Sequence, residues 1–400
     1  MYSKIFAGLD GSHWSNLAAN AALNIAEKSK DSQLIGCHVY AAELHRTRFE
    51  EMEPGLPDQY QEEERLNRLR DTHESLITDG LELISDSYLS ELVRLAQGKG
   101  IQVGGITPEG RNYSVMLKEL KKIQPDLVVL GANGHGYVPE SQMGSLCERI
   151  LINHPSSDLL VLRQTWDFKG KPIVVGIDGS QNSYFSLSKA LELARMFNTH
   201  VEAIAVYDPF FHGSVFKVIS DALPKEQQQR FNFPAQEKLH DEIIDRGLEK
   251  LYREGLERAS LLATQQGIQL KTEVLAGKVY SQIHHYAQLH NAGLVVLGRW
   301  GLHQDPLSLI GSNTHQFARL ASTNTLIVTE PDHPIEVPEI QRHQEAELTW
   351  TPAAEERLHR IPFFARGMAR RSIEEKAREQ GKSIVDEDFM KSIGNLMGKR

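Results

Sequence analysis

A glycine-spaced segment suited to binding phosphate occurs twice in this chain, 167 residues apart. Residues 131–145 read GANGHGYVPESQMGS and residues 298–312 read GRWGLHQDPLSLIGS, so both fit Gly, two residues, Gly, nine residues, Gly-Ser. Each is entered through the apolar run LVVLG and is followed by a predicted helix. Glycine lets backbone N–H groups approach an anion, and a helix N-terminus adds unpaired donors and partial positive charge. The two segments therefore predict two sites for a phosphate-bearing ligand.

A second repeated element is an Asp-Gly-Ser turn after a short apolar strand, in KIFAGLDGS (4–12) and PIVVGIDGS (172–180). A carboxylate repels phosphate but accepts hydrogen bonds from amino and hydroxyl groups, so Asp10 and Asp178 are expected at the ligand's other end. Ser145 and Ser312 suit helix N-caps. The alternative is turn and capping chemistry without any ligand, but the recurrence of both elements in register favours two binding sites.

The chain lacks recognisable catalytic groups around these loops. Neither ends in the Gly-Lys-Ser/Thr of a phosphate-loop NTPase, and we identify no arginine finger or catalytic base. His135 is interpreted as a polar loop residue, and no metal ligand or catalytic residue is assigned. We expect a binding protein rather than an enzyme, with slow nucleotide hydrolysis as the most activity that the sequence allows.

The repeated motifs, at an offset of about 167 residues, indicate a duplicated domain, with copy one in the first half of residues 1–330 and copy two in the second half. Strands and helices alternate in both copies. This pattern predicts an α/β fold with two doubly wound, five-stranded parallel sheets, followed by a small all-α module. The expected domains are 1–165 and 169–330, joined through a linker at 331–350 to a helical module at 351–400. In the second helix of copy one, the apolar residues approximate a helical period and are expected to be buried: Leu66, Leu69, Leu76, Ile77, Ile84 and Leu95.

Composition and charge argue against membrane-spanning, secreted and general nucleic-acid-binding proteins. No run of apolar residues is long enough to span a bilayer, and the N-terminus enters a strand without a signal peptide, so a cytoplasmic location is expected. The net charge is −9, with eleven basic and eight acidic residues in 351–400. The acidic body argues against general nucleic-acid binding. Cys37 and Cys147 are expected to be buried, reduced thiols.

These motifs resemble the ATP-binding branch of the universal stress protein family over both copies. The resemblance implies an adenine nucleotide between strand one, strand two and the glycine loop, with ATP as cofactor and Mg²⁺ as a possible companion. It assigns Val39 and Val206 to reading the adenine edge through their backbones. The implied first site is Asp10, Val39, Gly131, Asn133, Gly134, Gly144, Ser145 and Leu146. The implied second site is Asp178, Val206, Gly298, Arg299, Gly301, Gly311, Ser312 and Asn313.

The copies are not identical, so unequal affinities are expected, with Arg299 as a candidate cation beside the phosphates of the second site. Family members commonly pair their last strands, which predicts an intrachain pseudo-dimer here and leaves a homodimer open. The function favoured is a stress-response sensor or regulator that acts through interactions. The alternatives are a slow ATPase and an adaptor with vestigial nucleotide sites.

The C-terminal segment IPFFARGMARRSIEEKAREQG resembles the small C-terminal domain of the B subunit of light-independent protochlorophyllide reductase. The reductase body has no counterpart in this chain, so its activity is not expected. The module is interpreted as a docking element for an unknown protein partner. Arg360, Arg366, Arg370 and Arg371 are candidates for an anion-binding face, with a solvated basic helix as the alternative.

Overall fold

A computed structural model describes the chain except at 30, 210–217, 220, 234, 237–238, 240–246, 306, 330–332, 341–347, 362 and 398–400. The chain divides into two compact units. The first unit comprises Met1–Val175, Ser180–Val201 and His284–Ile335. The second comprises Gly176–Gly179, Glu202–Ile283 and Glu336–Arg400.

Strands and helices alternate through both sequence copies. Copy one contains β1 (Lys4–Gly8), α1 (His13–Lys28), β2 (Gln33–Cys37), α2 (Ala42–Met52), α3 (Glu63–Ala96), β3 (Gln102–Ile106), α4 (Asn112–Ile123), β4 (Leu127–Gly131), α5 (Ser145–Asn153) and β5 (Asp158–Leu162). Copy two contains β6 (Ile173–Gly176), α6 (Gln181–Phe197), β7 (Val201–Tyr207), α7 (Lys225–Arg230), α8 (Glu249–Gln265), β8 (Lys271–Ala276), α9 (Val279–Leu289), β9 (Leu294–Gly298), α10 (Ser312–Leu320) and β10 (Asn324–Val328). The predicted α/β fold is confirmed.

The sheet of the first unit has the strand order β3-β2-β1-β4-β5-β10-β9-β6. Every neighbouring pair is parallel except β5 and β10, which are antiparallel, with Leu160 opposite Leu326. The last strands of the two copies therefore pair edge to edge, as predicted for an intrachain pseudo-dimer. This pairing satisfies two strand edges that would otherwise expose unpaired backbone groups.

The apolar core of the first unit is continuous across that strand pair. Residues of copy one, such as Phe6 and Val161, belong to the same buried cluster as Ile310, Ala318 and Ile327 of copy two. The runs LVVLG at β4 and β9 are buried up to their terminal glycines, as expected of parallel strands covered on both faces. The parts of both copies that lie in the first unit therefore share one hydrophobic core at the β5–β10 strand pair, which we call the junction.

In the second unit, β7 and β8 pair in parallel, and the C-terminal residues form a small module. This module contains β11 (Thr349–Trp350), α11 (Pro352–His359), α12 (Phe363–Glu379), β12 (Ile384–Val385) and α13 (Glu387–Met397). The short parallel β11–β12 pair corrects the prediction of an all-α module. Thr351 caps α11, because its hydroxyl accepts from the Ala354 N–H at 3.3 Å. The module has a buried core of its own, which contains Ala354, Leu358, Ile373, Ala377, Val385 and Phe389.

The two cysteine thiols are buried and reduced, as expected from the sequence. Cys37 and Cys147 are free and buried, and burial raises the pKa of each thiol to about 12. Among the described residues, no helix is long and apolar enough to cross a membrane.

Candidate functional site

The Asp-Gly-Ser turn of copy one is held by short local hydrogen bonds. The Asp10 carboxylate accepts from the Ser12 N–H at 2.9 Å, and the Asp10 N–H donates to the Ser15 hydroxyl at 2.9 Å. Gly11 has φ +74°, a left-handed conformation that favours glycine. Ser12 then caps α1 by accepting from the Ser15 N–H at 3.2 Å. One carboxylate oxygen of Asp10 thereby shapes the turn, and Oδ2 faces the glycine loop.

The glycine loop of copy one contacts that turn directly. A Cβ on Gly134 would lie 2.5 Å from Asp10 Oδ2, and a Cβ on Gly131 would lie 2.6 Å from the Trp14 carbonyl carbon. A side chain at Gly131 would collide with backbone, and one at Gly134 would displace the Asp10 carboxylate. The Gly144 N–H donates to the Ala132 carbonyl at 2.8 Å, which folds the loop back to the start of α5. Residues 124 positions apart in the sequence are therefore in contact.

The N-cap role predicted for Ser145 and Ser312 is wrong. Gly144 and Gly311 are the N-cap residues, and the serines are the first residues of α5 and α10. The first backbone bonds of these helices run from Glu148 N–H to the Gly144 carbonyl and from His315 N–H to the Gly311 carbonyl. The N–H groups of the first helical residues have no intrahelical acceptor. They remain available to an anion at each helix N-terminus.

The second strand closes the other end of the first site. Val39 is buried in the same cluster as Ala132, and the partly buried Leu146 packs against that cluster. The neighbouring His38 lies edge-on to Tyr88 of α3, with ring centroids 5.0 Å apart. The Tyr88 ring lies directly over Gly11. The structure therefore brings Asp10, Val39, Leu146 and the glycine loop into one region, with His38 and Tyr88 at its wall.

The glycine loop of copy two repeats the backbone pattern of the first. The Gly311 N–H donates to the Arg299 carbonyl at 2.8 Å, and the Thr314 hydroxyl donates to the Gly298 carbonyl at 2.8 Å. A Cβ on Gly298 would lie 2.5 Å from Asn182 Oδ1. The Asn182 side chain is buried with both amide atoms unpaired in the described structure. Gly301, Ser312 and Asn313 are exposed at this loop.

Arg299 does not place a cation at the second loop, so that prediction is wrong. Its side chain is fully buried, and its guanidinium donates to the carbonyls of Leu151 at 2.6 Å and His154 at 2.9 Å. These carbonyls end α5, where the helix dipole favours a cation. Burial lowers the pKa of Arg299 to about 10, so the group stays charged at neutral pH. Arg299 is a structural residue of the junction.

The remaining predicted residues of the second site lie in the second unit. The Ile177 N–H, next to Asp178, donates to the Ile204 carbonyl at 2.8 Å, which places Asp178 beside the β7 strand that carries Val206. Tyr252 of α8 lies near this strand end, with its ring 6.0 Å from that of Tyr207. Burial, Asp178 and Asp208 raise the pKa of Tyr252. Asp178, Val206 and Tyr252 are thus grouped within this unit.

Several residues around these sites were missed by sequence reasoning. They are His38, Ser85 and Tyr88 in copy one, and Asn182 and Tyr252 in copy two. A register comparison of the copies would have singled out some of them, because His38 aligns with Ala205 and Tyr88 with Gly255 at the repeat offset of 167. Among the described residues, no group of three His, Cys, Asp or Glu side chains is arranged to hold a metal ion.

The proposed anion-binding arginine face of the C-terminal module is not present. Arg370 contacts Glu355 at 2.8 Å and Glu374 at 2.9 Å and lies 4.2 Å from the Trp350 ring centroid. Arg360 pairs with Glu356 at 3.1 Å and Arg371 with Glu375 at 2.6 Å, while Arg366 donates to the Ile361 carbonyl at 2.9 Å. Each arginine has a partner within the module, so the four do not form a free cationic surface.

Comparison with known proteins identifies relatives of both parts of the chain. Residues 350–393 match the family described as proto-chlorophyllide reductase 57 kD subunit. A universal stress protein of Methanocaldococcus jannaschii is 28% identical over 163 residues, which cover 40% of this chain and 83% of that protein. A solved universal stress protein from Archaeoglobus fulgidus has a TM-score of 0.50 at 13% identity, covering 82% of this chain and 97% of that one.

Another solved universal stress protein similar to this chain is a complex with cAMP, at 20% identity and a TM-score of 0.27 over 40% of this chain and 98% of that one. The universal stress protein family itself matches residues 1–163 and 170–329. Because these two matches cover most of the chain, the protein belongs to the universal stress protein family.

Proposed function

We propose that this protein binds ATP at two sites, one for each copy. The observation that carries the proposal is the contact between the Asp-Gly-Ser turn and the glycine loop in copy one, where Gly134 lies against the Asp10 carboxylate. A turn bearing a hydrogen-bond acceptor and a loop leading to free helix N–H groups form the two ends of a nucleotide site. The sequence of copy two contains the same two elements, the Asp-Gly-Ser turn at Asp178 and the glycine loop at 298–312.

The orientation of the nucleotide follows from the chemistry of each end. The phosphates would lie at the N-terminus of α5, close to Gly144 and against the N–H groups of Ser145 and Leu146, which lack intrahelical acceptors. Asp10 and the backbone of Val39 would face the base and ribose, since a carboxylate accepts from amino and hydroxyl groups. In the second site, Gly311, Ser312 and Asn313 would take the phosphate role. Any Mg²⁺ would be held mainly by the phosphates themselves.

We further propose that nucleotide occupancy regulates interactions of a cytoplasmic stress-response protein. Slow ATP hydrolysis receives less support, because the groups near the loops are arranged for binding. His135 donates to a backbone carbonyl, and Arg299 is buried in the junction. Neither is positioned as a catalytic acid or base for hydrolysis.

Titration calorimetry with ATP tests this proposal. We expect close to two ATP molecules per chain with unequal affinities, and weaker binding of GTP, which carries a different base edge. Gly144→Val should remove the first site only, because a Cβ there would lie 3.2 Å from the Ala132 carbonyl oxygen before the branch is added. Gly311→Val is the matched variant for the second site. Absence of adenine-nucleotide binding at millimolar concentration would refute the proposal.

A cavity of about 800 Å³ in the second unit favours the adaptor alternative. It lies between one face of α8, strand β8 and the segment at 338–340, and Arg371 of the C-terminal module contributes to its wall. Leu256 and Val274 form an apolar floor. If deletion of 351–400 abolished a physiological interaction while ATP binding persisted, the module would be the working part of the protein.

A further inference from the structure

The residues around the first site differ from their sequence counterparts in copy two at four positions related by the repeat offset of 167. His38, Ser85, Tyr88 and His135 in copy one correspond to Ala205, Tyr252, Gly255 and Leu302 in copy two. Both histidines therefore occur in one copy only. The replacements in copy two at these positions, Ala205 and Leu302, do not titrate.

His38 is held in one tautomer by α3. The Ser85 hydroxyl donates to the Leu81 carbonyl at 2.7 Å, so its oxygen accepts from His38 Nδ1–H at 2.8 Å. In the neutral ring, Nε2 is then the acceptor and can take up a proton. Burial lowers the pKa of His38, with a counteracting effect from Asp10. The imidazole is thus neutral at pH 7 in the free protein and is sensitive to any negative charge brought beside it.

His135 lies on the opposite side of Asp10. Its Nε2 donates to the Asp10 carbonyl oxygen at 2.7 Å, so Nδ1 carries no proton in the neutral ring. Besides burial, which lowers the pKa of His38, Asp10 raises this pKa and His135 lowers it. The phenol of Tyr88 also faces His38. The carboxylates of Glu82, Asp86 and Glu109 act on the nearby Tyr40.

We propose that His38 and His135 make the first site a proton-dependent nucleotide site, whereas the second site is insensitive to pH at these positions. Protonation adds positive charge beside Asp10, so a polyanionic nucleotide binds more tightly as the pH falls. By linkage, the bound nucleotide raises proton affinity of the imidazoles, and binding takes up protons. This inference rests on the proposed function, because it specifies how one of the two nucleotide sites is regulated.

The size of the pH effect on ATP affinity depends on how many protons are taken up on binding. Uptake of one proton changes affinity by at most about tenfold per pH unit. Because burial disfavours charged His38, the change is expected mainly below about pH 7. We expect affinity of the first site for ATP to rise about tenfold more than that of the second site between pH 8 and pH 5.5.

Calorimetry on single-site proteins tests the inference. Gly311→Val isolates the first site and Gly144→Val isolates the second, and each is titrated with ATP from pH 5.5 to 8 in two buffers of different ionisation enthalpy. The second site corrects for protonation of ATP itself. Proton uptake and a steeper affinity profile are expected for the first site only. Parallel profiles for the two sites would overturn the inference.

Exchange of the histidines for the residues of copy two provides the matched control. His38→Ala with His135→Leu should flatten the excess pH dependence of the first site, and His38→Gln should reduce it while keeping an amide near Ser85. Persistence of the full pH dependence in the double variant would overturn the inference. If a valine variant does not fold, the same comparison is made between the double variant and the otherwise unaltered chain. No ATP binding at any pH would instead refute the proposed function.

Discussion

The turns after β1 and β6 have the same sequence and backbone but different surroundings. Gly11 and Gly179 both have left-handed conformations, with φ +74° and +86°. The Tyr88 ring covers Gly11, whereas a Cβ on Gly179 would meet no described atom within 4 Å. Copy two has Gly255 at the position of Tyr88. The two copies therefore share the turn but differ in the residues packed beside it. We expect these neighbouring residues to cause differences in ligand preference between the two sites.

A similar difference occurs at the junction. Arg299 and His154 align with Ala132 and Ala321, so each copy has a large polar residue where the other has alanine. Arg299 donates to the His154 carbonyl, and its charge helps to lower the pKa of the His154 imidazole. The junction is thus asymmetric in chemistry although its strands pair symmetrically.

The largest effect is expected from Arg299→Ala. The substitution leaves a cavity and deprives two carbonyls at the end of α5 of a buried donor, so the free energy of unfolding should fall by about 3–5 kcal/mol. Urea denaturation measures the change. The control is Arg319→Ala, which removes a more exposed ion pair with Glu148 at 3.3 Å and should cost less than about 1 kcal/mol. Equal losses in the two variants would contradict the structural role of Arg299.

A smaller effect distinguishes the two turns. Gly11→Ala combines a left-handed backbone with a collision against Tyr88, and we expect a loss of about 2–3 kcal/mol in the free energy of unfolding. Gly179→Ala has only the backbone cost, about 1 kcal/mol. Thermal or urea denaturation of both variants tests the difference.

The Tyr88 ring should be responsible for that difference. In a double-mutant cycle, Tyr88→Ala is expected to cancel most of the extra loss caused by Gly11→Ala, because the collision is removed. Additive losses in the double variant would show that the ring does not cause the difference.

An effect smaller than those of Arg299→Ala and Gly11→Ala is expected from pH, through His154. Burial, Arg299 and Lys121 lower the pKa of His154 from 6.5 to about 4. The unfolded state therefore binds more protons between these values, and stability is lost as the pH falls from about 6.5 to 4. After allowance for solvent screening, we expect a loss of about 2 kcal/mol over this range. His154→Gln should show a weaker pH dependence in urea denaturation, and an unchanged dependence would exclude His154 as the cause.

The sequence predicts the repeated architecture well because strand hydrophobicity and glycine spacing are local signals. β4 and β9 begin and end with the LVVLG runs, and the pairing of β5 with β10 follows from the duplication. The buried face of α3 was less predictable. Leu76 and Ile84 are exposed, whereas Ser85, Leu92 and Ala96 are buried. A helical period alone does not show which stripe faces a neighbour when the stripe carries small or polar residues.

The candidate sites show the same division between local and long-range signals. The Asp-Gly-Ser turns and glycine loops were found from their spacing, but Arg299 was assigned to the wrong partner. The guanidinium of Arg299 contacts Leu151 and His154, which belong to the other copy. The sequence around Arg299 does not show which distant residues it contacts. His38 was overlooked because its role depends on Ser85 and Tyr88 in a distant helix.

The antiparallel β5–β10 pair has a consequence for how this protein can diverge. In a homodimer built on a two-fold axis, every substitution appears on both sides of the interface. Fusion of the two copies removes that constraint and also makes their association intramolecular, at a high effective concentration. Arg299 can therefore serve the end of α5 while Arg163 donates to the Ala318 carbonyl near the end of α10 at 2.7 Å, although the two arginines occupy different positions of the repeat. The covalent link allows one half of the molecule to acquire new chemistry while the other half keeps the original fold in place.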